Sequence, residues 1–173
     1  KAIRKVDGNS EVVLLKELYP AFINQTRAAM YAYSPDIGLI FNNVSNYPVH
    51  TTAAAQQDIM YIEVWDPVLR LRDVKELIDR ARELSNKQVV LAAYLPTFHP
   101  DRPKHQAAQD EAEIGARVTM ATIFASGGYH LLLGEHENVL AEAYYPHYGT
   151  ISDDFKTILT HYYDFIVMYR NLL

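Results

Sequence analysis

The sequence predicts an α/β fold built on parallel strands, and three observations carry that prediction. Short, near-continuous apolar runs rich in β-branched and aromatic residues recur at 37–42, 59–65, 88–94 and, more weakly, 129–133. Such runs, unlike strict alternation, mark strands covered on both faces, as parallel strands are. Between them, apolar residues return every three or four positions, which is the helical period. The polar residues gather at the C-terminal ends of the strand runs.

Each element follows in chain order. Pro20 opens a helix through Phe22, Ile23 and Ala29, since a proline in the first turn gives up only an N–H that has no partner there. Residues 37–42 form the first strand, and 51–57 amount to a short helical turn at most. In the second strand, 59–65, side chains alternate, so Tyr61, Glu63 and Trp65 share one face and Met60, Ile62 and Val64 the other. Val74, Leu77, Ile78 and Ala81 then keep helical spacing, with Asp73 suited to the helix start. After the third strand, 88–94, a helix over 106–125 carries Ile114, Val118, Ala121 and Ile123 behind an acidic first turn. Gly127-Gly128 leads into the fourth strand. Ser152 caps a last helix through Phe155, Ile158, Leu159, Tyr162, Phe165, Ile166 and Tyr169.

Composition narrows the function classes. The chain has 173 residues, 49% hydrophobic and 21% charged, ordinary values for a globular domain. A net charge of −5 without a basic patch argues against nucleic acid as a partner. No apolar run reaches the roughly 18 residues of a membrane span. The absence of cysteine excludes disulfides, thiolate metal sites and a cysteine nucleophile. Neither G-x-G-x-x-G nor a Walker pattern occurs, and Gly127-Gly128 precedes a strand and does not open a helix. The seven histidines, among them His99, His105, His130, His136 and His147, lack the i, i+4 spacing of a zinc protease, so no metal and no cofactor is expected. A serine hydrolase is disfavoured because no G-x-S-x-G elbow appears.

The strand-end polar residues are Asn42 and Asn43, Glu63 with Trp65, Tyr94, and Gly134-Glu135. In a (β/α)8 barrel that edge is where active sites are built. Such a barrel needs at least about 200 residues, and four strand–helix units supply half of it. The whole chain, 1–173, therefore reads as the C-terminal half of a barrel, from about the fourth helix to the eighth. It starts Lys-Ala-Ile-Arg, without Met or a signal-like segment, which points to a processed N-terminus or a piece of a longer chain. Glu63 is the residue singled out. A carboxylate between two aromatics on a buried strand carries a desolvation cost that persists where the group is partnered or used.

The motifs are specific enough to name a resemblance. Phe41-Asn42-Asn43-Val44 with Asn46-Tyr47, Tyr61-Ile62-Glu63-Val64-Trp65, and Val90-Leu91-Ala92-Ala93-Tyr94 come in order. They are followed by 123–131 (Ile-Phe-Ala-Ser-Gly-Gly-Tyr-His-Leu), Leu133-Gly134-Glu135, Tyr144-Tyr145-Pro146, Tyr162-Tyr163-Asp164-Phe165 and Asn171-Leu172-Leu173. This series resembles glycoside hydrolase family 66, which contains endo-dextranases and cycloisomaltooligosaccharide glucanotransferases. The resemblance implies a (β/α)8 domain and retaining chemistry on α-1,6-glucans, with an Asp nucleophile and a Glu acid/base. Glu63 matches the acid/base. The nucleophile motif has no counterpart, since Asp7 lies in a Val-Asp-Gly turn, and it should fall just upstream of Lys1.

The resemblance further implies that dextran and isomaltooligosaccharides are the ligands and that the upstream half of the barrel is a required partner. Asn42, Asn43, Tyr47, Trp65, Tyr94, His130 and Glu135 are the expected substrate-binding residues; loop, packing or core roles would look similar for each. The glucanotransferases carry a large inserted binding module, whereas 94–106 here is a loop of ordinary length, which favours hydrolysis over cyclisation. The isolated chain is expected to be inactive, and the polymeric substrate implies an extracellular or periplasmic location. The competing expectation is a non-catalytic carbohydrate-binding half-barrel, acting alone or as a homodimer.

Overall fold

The computed structural model describes residues 1–44, 46–68, 70–99, 107–143 and 148–172. The chain begins with an antiparallel hairpin, β1 (Ala2–Val6) and β2 (Asn9–Val13), which the periodicity did not signal. Its turn is Asp7-Gly8, with φ of 49° and 82°. Two successive positive φ values are what a two-residue hairpin turn demands, and Asp-Gly provides them. That dipeptide was the available signal.

Helix α1 (Leu15–Tyr31) follows, with Pro20 inside it and not at its start. Its buried positions are Ile23 and Arg27, while Phe22 faces outward. The Arg27 guanidinium donates to both oxygens of Asp58, each at 2.8 Å, and to the Ile37 carbonyl at 2.7 Å. Asp58 also accepts the Leu39 N–H. These bonds hold residues 37–39 before the sheet begins, so β3 spans Ile40–Val44 and starts three residues later than the apolar run suggests.

Four parallel strands form the sheet: β3, β4 (Ile59–Glu63), β5 (Gln88–Ala92) and β6 (Gly128–His130), in sequence order. Order without reversal is the winding of a barrel; a doubly wound sheet reverses at a switch point. The sheet and its helices are compatible with half a barrel. Helix α2 (Val49–Thr52) begins two residues before the turn expected over 51–57 and overlaps it only at Thr51 and Thr52, and α3 (Leu71–Ser85) joins β4 to β5. The Arg70 N–H donates to Asp73 at 3.0 Å, so Asp73 acts in the first turn as expected. Met60, Ile62, Val89 and Leu91 pack against Val74, Ile78 and Ala81 of α3, burying that face of the sheet. Gly128 keeps the approach close: a Cβ there would lie 2.9 Å from Ile78 Cδ1.

Helix α4 (Gln109–Ala125) corrects a further expectation. Its buried stripe is Ala112, Ala116, Met120, Ile123 and Phe124; Ile114, Val118 and Ala121 lie outside. The inward residues are small for two turns, which lets α4 approach Phe98 and Phe155 in a second core cluster. Two apolar stripes at helical spacing coexist on this helix, and periodicity alone selects neither. A two-residue ribbon, β7 (Val139–Leu140) with β8 (Tyr148–Gly149), precedes α5 (Asp153–Met168). Ser152 caps α5, its hydroxyl accepting the Phe155 N–H at 3.0 Å. Residues Gln106, His105, Tyr144, Tyr145, Pro146, His147 and Leu173, used in the sequence argument, lie outside the described residues. No described helix is long and apolar enough to cross a membrane.

Candidate active site

The site grows from the parallel register. Glu63 pairs with Val44 on one side and Ala92 on the other, and Tyr61 pairs with Asn42 and Val90. In a pleated sheet, residues two apart share a face, so Asn42, Tyr61, Glu63 and Tyr94 all project away from the helices. Met60 and Ile62 take the opposite face into the core. The alternation expected from sequence therefore holds where it matters.

Glu63 ends β4 and is 7% exposed. The Tyr94 hydroxyl donates to its Oε1 at 2.7 Å. Asn42 Nδ2 stands at 3.5 Å from Oε2, a long contact. The Trp65 and Tyr94 rings lie 5.9 Å apart at a 57° tilt. Asn46, at φ 61°, donates to the Trp65 carbonyl at 3.1 Å and so ties the β3 end to the β4 end. Asn46 was quoted only within a motif; its place beside Tyr47, just past a strand end, was the signal for it. Burial, and secondarily the negative charge of Glu63, raise the Tyr61 phenol above its ordinary pKa, which keeps that hydroxyl protonated.

The other expected residues fall in three places. Asn43 lies on the helix side of the sheet, fully buried, and does not join the group around Glu63. Its amide donates to the Tyr61 carbonyl at 2.8 Å and its Oδ1 accepts from Thr52 Oγ1 at 2.5 Å. His130 pairs in register with Leu91 and is also buried on the helix side. Its Nε2 lies 2.9 Å from the Ala93 carbonyl, and its Nδ1 meets no partner among the described residues. Burial lowers the His130 pKa below its usual value, the Ala93 bond opposing this in part. The ring is accordingly held neutral, with the proton on Nε2.

Tyr47 is 55% exposed, its ring 6.4 Å from that of His50 and 5.8 Å from Lys16 Nζ. Glu135 is exposed in the 3-10 turn Glu135–Glu137. The structure thus assembles Glu63, Tyr94, Asn42 and Trp65, with Tyr61 and Asn46 added. It leaves Asn43 and His130 behind the sheet and Tyr47 and Glu135 at the surface. No group of three or more potential metal ligands occurs among the described residues.

A buried carboxyl with one oxygen bound to a tyrosine and the other close to open sheet can exchange a proton with a ligand held over the strand ends. Chemistry of that kind needs a second, separate nucleophile to break a glycosidic bond with retention. Among curated proteins no significant match is found. The fold matches the crystal structure of a Paenibacillus sp. cycloisomaltooligosaccharide glucanotransferase complexed with cycloisomaltoheptaose, with a TM-score of 0.80 and 18% identity. The match covers 96% of this chain and 42% of that one, so the chain spans less than half of the neighbour's length. At that identity the likeness bears on fold. The model of glycosyl hydrolase family 66 matches residues 2–173, and the chain belongs to that family.

Proposed function

We propose that this chain is the C-terminal half of a (β/α)8 catalytic domain, running from about the fourth helix to the eighth. In this proposal it supplies the general acid/base, Glu63, of a retaining endo-α-1,6-glucanase that hydrolyses dextran. The observation that carries it is the Glu63 carboxyl at the C-terminal end of β4, bonded by Tyr94 and bordered by Asn42 and Trp65. Membership of the family supports the reaction class. The Asp nucleophile comes from an upstream half of the barrel, and dextran and isomaltooligosaccharides are the substrates. A polymer of that size places the enzyme outside the cytoplasm, extracellular or periplasmic.

The chemistry divides into two displacements. Glu63 first gives a proton to the leaving sugar's oxygen while the upstream carboxylate bonds C1; the two carboxyls must then lie about 5 Å apart. Glu63, now ionised, next takes a proton from water and so frees the glycosyl group. Asn42 and Trp65 contribute a hydrogen-bonding amide and an aromatic face for a glucose ring. Transglycosylation is the second reading, favoured by one observation: the structural neighbour is a glucanotransferase. An acceptor hydroxyl would then replace water in the second step. The ordinary length of the 94–106 loop, without an inserted module, favours hydrolysis.

Glu63→Gln in the full-length enzyme tests the proposal. General acid–base catalysis contributes about 10²–10⁴ in rate. Dextran hydrolysis, measured as new reducing ends, should fall by that factor, and on a 4-nitrophenyl isomaltoside, whose leaving group needs no proton, azide should restore turnover as a glycosyl azide. Unchanged hydrolysis would defeat the assignment. Chromatography of the products separates linear from cyclic oligosaccharides and so hydrolysis from cyclisation.

A further inference from the structure

We infer that Tyr94 is the residue that fixes which oxygen of Glu63 moves the proton: its hydroxyl holds Oε1 as a permanent acceptor, leaving Oε2 to exchange with the substrate. The inference rests on the acid/base role proposed above for Glu63. Its basis is geometric. Tyr94 Oη lies 2.7 Å from Oε1, the usual length of an O–H···O bond, whereas the Asn42 contact to Oε2 is stretched to 3.5 Å. A donor bonded to an ionised acceptor is about twice as strong as a neutral pair, so the phenol binds Oε1 most firmly when Glu63 has lost its proton.

The tyrosine is itself held on both sides. The Ala93 carbonyl before it accepts from His130 Nε2 at 2.9 Å, and the Leu95 N–H after it donates to the Leu140 carbonyl at 3.0 Å. Its ring leans on Trp65. The backbone of residue 94 is thus clamped between β6 and β7, and the phenol reaches Glu63 from a fixed base. Such support is what keeps a catalytic group within a few tenths of an ångström of its working position.

The proton bookkeeping closes. In the first displacement the proton on Oε2 passes to the glycosidic oxygen. The bond from C1 to that oxygen breaks, and a bond from C1 to the upstream carboxylate forms. In the second, water bonds C1, the bond to the upstream carboxylate breaks, and Oε2 takes the proton released by the water. Tyr94 keeps its own proton throughout and is a positioning residue.

The test compares two substrates in the full-length enzyme. Dextran leaves only when its oxygen is protonated, whereas a 4-nitrophenyl isomaltoside carries a leaving group that departs as the phenolate. Tyr94→Phe keeps the ring against Trp65 and removes only the hydroxyl. Its kcat/KM should fall about 30-fold on dextran, and at least tenfold less on the aryl glycoside, since a single hydrogen bond to a charged group is worth about 1.5–3 kcal/mol. Equal losses on both substrates, or none on dextran, would overturn the inference. A double-mutant cycle adds an independent reading. In the Glu63→Gln background, Tyr94→Phe should cost nothing further, and an additional loss on dextran would count against the role. Should Glu63→Gln alone leave dextran hydrolysis intact, the acid/base assignment itself has failed, a result distinct from any of these.

Discussion

Asn43 and Asn42 are neighbours with opposite environments, and the pleat decides which is which. Asn42 faces the carboxyl of Glu63; Asn43 is sealed behind the sheet between the Tyr61 carbonyl and Thr52. A buried carbonyl and hydroxyl that lose their amide partner cost about 1–3 kcal/mol. Asn43→Ala should therefore lower the unfolding free energy by that amount, and the urea midpoint with it, whereas Asn42→Ala should leave stability nearly unchanged and reduce activity of the full-length enzyme. Equal midpoints for the two variants in a urea titration would refute this division. His130 makes a pH-dependent prediction. Its folded-state pKa is depressed by burial, so the unfolded chain binds its proton first. The stability contributed by the neutral ring is present above the unfolded value near 6.5 and is lost as pH falls through the window below it. Melting temperature should drop between pH 7 and pH 5, and His130→Gln should shrink that drop. A drop of the same size in the variant would exclude His130 as its source.

At the scale of elements, starts and stops obey local chemistry wherever a cap is present. Ser152 and Asp73 behave as their positions require, each meeting a free backbone N–H at the start of its helix. Ser152→Ala should cost about 1 kcal/mol, the usual value of such a cap, and Ser152→Gly only a few tenths. Chemical denaturation checks both values, and an unchanged unfolding free energy in Ser152→Ala would mean that the cap is idle. Where no cap sits, tertiary contacts move the boundary. Arg27 and Asp58 claim the segment 37–39, so the first parallel strand starts late. Helix α4 turns Ala112 and Ala116 inward, where the second core cluster, built on Phe98 and Phe155, takes them in, and leaves Ala121 and Ala125 exposed.

Among the described residues, the sheet face that carries Glu63 has exposed apolar side chains toward its two edges. Ile40, Val44 and Leu131 lie in register with the face that carries Glu63, between 39% and 55% exposed. Apolar side chains on an unpaired sheet face and edge are prone to associate. The chain alone should self-associate with rising concentration in light scattering, and addition of the proposed upstream half should suppress this while conferring dextran hydrolysis. A monomer at all concentrations would refute the first expectation. The sequence by itself determined the α/β class, the four parallel strands in order, the cap of the last helix and Glu63 as the residue of interest. Each of these is written in local periodicity, a capping residue, or a carboxylate set between aromatics. Only the tertiary structure decided that Tyr94 grips Glu63, that Asn43 and His130 face the helices, and which stripe of α4 is buried. Those outcomes depend on register across strands far apart in the chain and on which helix face fits its neighbour. Local spacing leaves both open, and packing resolves them.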